Sequence, residues 1–151
     1  MIQRKQTLFL ILAVIVSVCC LSLPVATLLP SGMGAPSQVL NLWIADGNGA
    51  RDFSAWPLFA VLLLSAAIGF FDIFLYKNRR RQAALCGFCI FLLVVWYLLF
   101  AWLVFTGERA TFTLTPELPL ALPAVAIVLY FMARQGIMAD ERLVRSMDRI
   151  R

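Results

Sequence analysis

Residues 83–105 read AALCGFCIFLLVVWYLLFAWLVF, 23 positions without a charge. A helix of that length reaches about 34 Å, enough for the roughly 30 Å hydrocarbon layer of a bilayer. Trp96, Tyr97 and Trp102 fall in its later half, where aromatic rings with a polar edge suit the headgroup interface. Just before it stands Lys77-Asn78-Arg79-Arg80-Arg81-Gln82, six residues of which four are cationic, and before that the apolar run Pro57–Tyr76, with Asp72 its one charge. Two spans joined by so short a connection form an antiparallel helical hairpin, and the basic turn anchors in the headgroup layer.

Two more runs flank this hairpin. Thr7–Leu29 is 23 residues without a charge. It exceeds the usual apolar core of a signal peptide, so it is read as a first span. Leu118–Ala133 has only 16 uncharged residues and needs the helical turn that Pro116 and Glu117 start, or a locally thinned bilayer. The expected fold is therefore an all-α integral membrane protein, a four-transmembrane-helix antiparallel bundle in one domain. Its spans are 7–29, 57–76, 83–105 and 116–134, its external loops 30–56 and 106–115, its cytoplasmic turn 77–82 and its cytoplasmic tail 135–151.

Positive charge orients the bundle. With both termini in the cytoplasm, the inner side holds Arg4, Lys5, Lys77, Arg79, Arg80, Arg81, Arg134, Arg142, Arg145, Arg149 and Arg151, and the outer side only Arg51 and Arg109. Asp46, Asp52, Glu108 and Glu117 fall outside.

Composition narrows the function classes. The chain has 151 residues, 62% of them hydrophobic and 14% charged, too apolar for one small water-soluble core. Its net charge of +5 sits at the ends of apolar runs, not on one face, so no nucleic-acid partner is expected. There is no histidine, which removes the commonest general base and metal ligand. No catalytic constellation, cofactor site or metal site is read from the chain.

The opening Met1-Ile2-Gln3-Arg4-Lys5-Gln6-Thr7, the turn Lys77-Asn78-Arg79 and the ending Asp140-Glu141 to Asp148-Arg149 together carry a resemblance. The whole chain resembles an uncharacterised family of small four-helix membrane proteins from the Bacteroidota. That resemblance implies a four-span inner-membrane protein without an assigned reaction, ligand or partner. Arg81 beside Arg80 makes this turn more basic than the family pattern.

Asp72 and the basic residues are the candidate site. A carboxylate one turn inside Tyr76 is costly unless paired or wetted, and Lys77, Arg79 or a cation from another helix end can reach it. The competing reading is proton or substrate handling. Arg80 and Arg81 belong to the same turn, which either anchors to headgroups or contacts a partner. In the tail, Leu143, Met147 and Ile150 lie at i, i+4 and i+7, with Arg142, Arg145 and Arg149 opposite them. Glu141 is placed to pair with Arg145, worth roughly 0.2–0.5 kcal/mol. Solvated helix, lipid-surface helix and docking helix all fit this pattern.

Cys86-Gly87-Phe88-Cys89 has the spacing of thiol redox pairs, but it opens a membrane helix on the reducing side. Cys19 and Cys20 lie at another depth and point in different helical directions, so inert packing is the favoured reading. Ser65/Gly69 and Ala83/Gly87 are small pairs that permit close approach. Pro24 is expected to bend the first helix, Pro116 to occupy a first helical position, and Pro119 and Pro123 to make the start of the fourth helix irregular. In the long loop, Val39–Ile44 reads as a short strand or an interfacial helix, while Thr111–Thr115 alternates as an extended segment that pairs with that loop into a small external cap.

The functional expectation is a non-catalytic inner-membrane component or accessory subunit. It assembles with membrane or cytoplasmic proteins, membrane lipids or copies of itself. A small transporter or membrane enzyme for an anionic or lipid substrate is the alternative, and a thiol redox protein the last.

Overall fold

The computed structural model describes residues 3–30, 32, 34–76, 78–106 and 112–148. Its four helices are α1 (Gln3–Ser22), α2 (Trp56–Phe74), α3 (Arg79–Phe105) and α4 (Leu122–Asp148). The stretches Lys5–Ser22, Phe53–Phe74, Arg79–Phe105 and Leu118–Met147 are each long and apolar enough to cross a membrane. Neighbours in sequence pack side by side and α4 closes the ring against α1, so the helices run alternately up and down.

The hairpin at the decisive stretch is tighter than six residues. α2 stops at Phe74 and α3 starts at Arg79, so Arg79–Gln82, read as part of the turn, are the first turn of a helix. Leu75 N–H donates to Asp72 O at 3.1 Å, Asn78 N–H to Leu75 O at 2.9 Å and Gln82 N–H to Asn78 O at 3.0 Å, which uses backbone groups that a helix end leaves open. Lys77 lies outside the described residues.

The first helix is shorter than the apolar run that encodes it. Pro24 does not bend a longer helix; α1 ends at Ser22, and residues 26–29 form a strand. Proline offers no N–H and disfavours the helical conformation in the residue before it, so the chain leaves the helix there while remaining apolar. Pro116, likewise, ends a strand instead of beginning a helix. The irregular start of α4 is seen as a 3-10 turn, Leu118–Ala121, which contains Pro119 and precedes Pro123.

α4 does not stop at Arg134. It continues unbroken to Asp148, so the described part of the tail extends the same helix. Its inner face runs through Ala126, Tyr130, Ala133, Ile137 and Asp140, all buried. Leu143, Val144 and Met147 are exposed, and Ile150 lies outside the described residues.

One end of the bundle carries a five-stranded antiparallel sheet in the order β4-β3-β2-β1-β5. The strands are β1 (Ala26–Leu29), β2 (Ser37–Val39), β3 (Ile44–Ala45), β4 (Arg51–Asp52) and β5 (Thr113–Pro116). β1 is paired on both sides, with Thr27 opposite Gln38 of β2 and Thr115 of β5. The alternating segment pairs not with the long loop, as expected, but with residues 26–29 of the first apolar run, and the loop's own strands join the sheet on the other side of β1. The patch Val39–Ile44 resolves into strand ends joined by a tight turn, with Leu40 N–H donating to Trp43 O at 3.0 Å. At the next turn Gly49 takes φ +82, where a side chain would be strained.

Candidate functional site

Polar side chains inside this apolar bundle collect at three levels, and each level ties together helices that are far apart in sequence. Nearest the sheet, Asn41 leaves the turn between β2 and β3 and enters the helix packing, where it is fully buried. Its amide donates to Cys20 O at 2.6 Å, its carbonyl accepts Trp96 Nε1–H at 3.0 Å, and its backbone carbonyl accepts Phe59 N–H at 3.1 Å. One residue thereby binds α1, α2 and α3. Beside it the Tyr97 hydroxyl donates to Leu120 O at 2.8 Å and accepts Ala124 N–H at 3.0 Å, which holds the proline-rich start of α4.

The second level is built on one stripe of α2. Ser65, Gly69 and Asp72 lie at i, i+4 and i+7, and Ser65 and Asp72 are both 0% exposed. Across the bundle, Tyr130 of α4, also fully buried, brings its hydroxyl over Gly69, where any Cβ would collide with it. The small pair Ser65/Gly69 therefore makes room for a tyrosine, with Val14 of α1 alongside. α3 contributes Cys86 and Cys89 on one face. The Cys86 thiol donates to Asp72 Oδ2 at 3.1 Å, and the Cys89 thiol approaches Ser65 O at 3.6 Å with the Tyr130 hydroxyl beside it. Gln82 donates to Asp72 O at 3.2 Å.

The first cation the sequence offers Asp72, Lys77, lies outside the described residues. Among the described residues Asp72 meets a thiol, and Arg80, Arg134 and Arg145 are placed elsewhere. Arg80 of α3 reaches Glu141 of α4 at 2.5 Å, and Arg145 reaches the same carboxylate at 2.9 Å. The Glu141–Arg145 pair is the i, i+4 contact that the spacing predicts. Arg134 lies against Gly87 of α3, filling the place of the second small pair. The cause is geometric: Asp72 faces the bundle interior, whereas Arg79 and Arg80 leave the start of α3 toward α4.

The third level is this basic end. Asn78, Arg79, Arg80, Glu141, Val144 and Arg145 line an open groove of about 370 Å³ between α3 and α4. Farther along α4, Phe131, Arg134, Gln135, Met138, Ala139 and Arg142 line another of about 430 Å³. Arg81 is exposed, and Arg149 lies outside the described residues. Beneath the grooves a buried bond from Gln6 Nε2 to Asp140 Oδ2, 2.6 Å long, joins the start of α1 to α4. The structure thus brings Arg79, Arg80, Arg142 and Arg145 to one end and sets Asp72 apart, in the interior.

Cys20 and the Cys86–Cys89 pair belong to different levels, and Cys19, next to Cys20, points outward. All four thiols are free. Asn41, Tyr130 and the Gln6–Asp140 bond escape a reading of the sequence. Their one signal is a polar group inside an apolar stretch, which names no partner. Among the described residues no group of three or more histidine, cysteine or acidic side chains is placed to hold a metal ion.

No curated protein matches the chain. A family described as a domain of unknown function, DUF4293, matches residues 2–150, nearly the whole length. This chain of four membrane-capable helices therefore belongs to the DUF4293 family.

Proposed function

We propose that the protein is a non-catalytic component of a bacterial inner membrane that assembles with other membrane or cytoplasmic proteins through its basic end. In this reading the chain comes from a member of the Bacteroidota, both termini are cytoplasmic and the sheet lies outside. The observation that carries it is the Arg80–Glu141–Arg145 link. It draws the extended end of α4 toward α3 and gathers several arginines at one end of the bundle. Exposed Leu143, Val144 and Met147 add apolar area beside the charge. Cationic and apolar groups together fit an acidic, amphipathic partner segment.

Purification in native nanodiscs, followed by identification of bound proteins, tests this reading. The wild type is expected to retain a stoichiometric protein partner that a triple charge reversal, Arg79→Glu, Arg142→Glu and Arg145→Glu, releases. Identical protein profiles for the two forms would refute it. A second reading, a small transporter or membrane enzyme for an anionic or lipid substrate, draws support from the groove in which Arg134 and Arg142 stand beside Phe131 and Met138. Co-purification of a phosphate-bearing lipid without any protein would favour that alternative.

A further inference from the structure

We propose that the Ser65–Gly69–Asp72 stripe of α2, roofed by Tyr130, is a hydrated proton-binding site: Asp72 takes up a proton, and internal water links its free oxygen to the Tyr130 and Ser65 hydroxyls. Three buried side-chain oxygens, Asp72 Oδ1, Tyr130 Oη and Ser65 Oγ, make no well-aligned hydrogen bond among the described residues, and the two hydroxyls have only the weakly bonding Cys89 thiol beside them. Buried polar atoms are otherwise almost always paired, so three on one stripe mark a place where polar matter belongs. The phenol oxygen stands over Gly69, between Ser65 and Asp72 along the stripe, which puts the three oxygens at one level of the bundle.

The proton follows from charge. Asp72 is 0% exposed, and among the described residues the groups that face it are uncharged: Ser65 on its own helix, Gln82, Cys86 and Cys89 on α3, and Tyr130 on α4. Arg134 of α4 lies over Gly87, on the far side of Cys86 from the carboxyl, and Lys5 stands in the first turns of α1, more than two turns from the Val14 that borders Gly69. An unpaired carboxylate in such a place costs several kcal/mol, and the group neutralises instead. Uptake converts the carboxylate to a carboxyl with a proton drawn from bulk water. Oδ2 already accepts the Cys86 thiol, so the proton resides on Oδ1 and donates to the bridging water. Asp72 lies two residues from the end of α2, so exchange with solvent runs through the basic end, past Gln82.

Infrared difference spectroscopy of the full chain in lipid nanodiscs tests the site. On acidification the wild type is expected to gain a carboxylic-acid C=O band that shifts in heavy water and is lost in Asp72→Asn. Tyr130→Phe is expected to shift that band without removing it, and to abolish an internal-water O–H band that moves in oxygen-18 water. Absence of a carboxyl band lost in folded Asp72→Asn overturns the proposal, as does a band indifferent to Tyr130→Phe. Should Asp72→Asn not fold, Cys86→Ala serves: it strips Oδ2 of its thiol donor and must shift the same band, and an unmoved band refutes the assignment.

Discussion

Gln6 and Asp140, 134 positions apart in the chain, meet in a buried hydrogen bond of 2.6 Å that fastens the first turns of α1 to the far part of α4. Gly136, one turn before Asp140, gives Gln6 its space, since a Cβ there would press on the Gln6 side chain. The end of α4 is thus part of the bundle's packing up to Asp140.

A truncation made before Asp140 is therefore expected to loosen α1 as well as to remove the tail, while one made after Arg145 leaves the bundle intact. Asp140→Ala, which leaves the Gln6 amide buried without an acceptor, should cost about 1–3 kcal/mol, and Asp140→Asn less because it keeps an oxygen. Equilibrium unfolding in mixed micelles measures the difference. Equal stability of wild type and Asp140→Ala would show that the bond contributes nothing.

Asn41→Ala removes a donor and an acceptor at once. Trp96 N–H and Cys20 O then lose their Asn41 partners, each at a cost of about 1–3 kcal/mol, and the turn keeps only its backbone bond to Phe59 of α2. Amide exchange in β2 and β3 should quicken far more than in α3. Uniform exchange across both regions would mean that other contacts hold the sheet in place.

These ties explain how far the sequence can be read. α3 is legible because 23 uncharged residues behind a run of arginines admit one solution. α1 is only half legible: hydropathy does not distinguish a membrane helix from an apolar strand, and Pro24, visible in the sequence, terminates the helix where a bend was read. β5 is legible by its alternation, but its partner, residues 26–29, was hidden inside the same apolar run. Asp72 stands out as a lone charge. What it touches, a thiol on the next helix, depends on helix rotation, which composition does not encode. Asn41 and Tyr130 act across 55 and 61 positions, to Trp96 and Gly69, and nothing local announces either contact.

Glu141→Gln should release both Arg80 and Arg145. The pair is partly exposed, so stability should fall by only about 0.2–1 kcal/mol, less at high salt. Surface charge rises at the same time, and binding to vesicles containing anionic lipid should strengthen. Unaltered binding would show that the two arginines are already available to headgroups.

Orientation is open to direct labelling. A reporter fused after Arg151 is expected to read cytoplasmic and one inserted near Gly47 external, because residues 47–49 lie at the sheet end and Asn78 at the opposite end of the bundle. Reagents confined to one side should reach Asn48 or Asn78 positions, not both. Labelling of both from the same side would break the four-span reading and the assignment of the basic end to the cytoplasm.

The sharpest test of the core is the crossing of Gly69 by Tyr130. Gly69→Ala places a methyl where the phenol oxygen sits, and overpacking of this kind costs about 1–3 kcal/mol. Tyr130→Phe removes that oxygen without adding bulk, so the single change should cost less than Gly69→Ala. In the double variant the methyl takes the space the oxygen vacates, so most of the stability lost in Gly69→Ala should return. The coupling between the two positions, read from a double-mutant cycle of unfolding free energies in mixed micelles, should exceed about 0.5 kcal/mol. Additive effects would mean that Tyr130 does not lie over Gly69, and the polar stripe built on that contact would lose its roof.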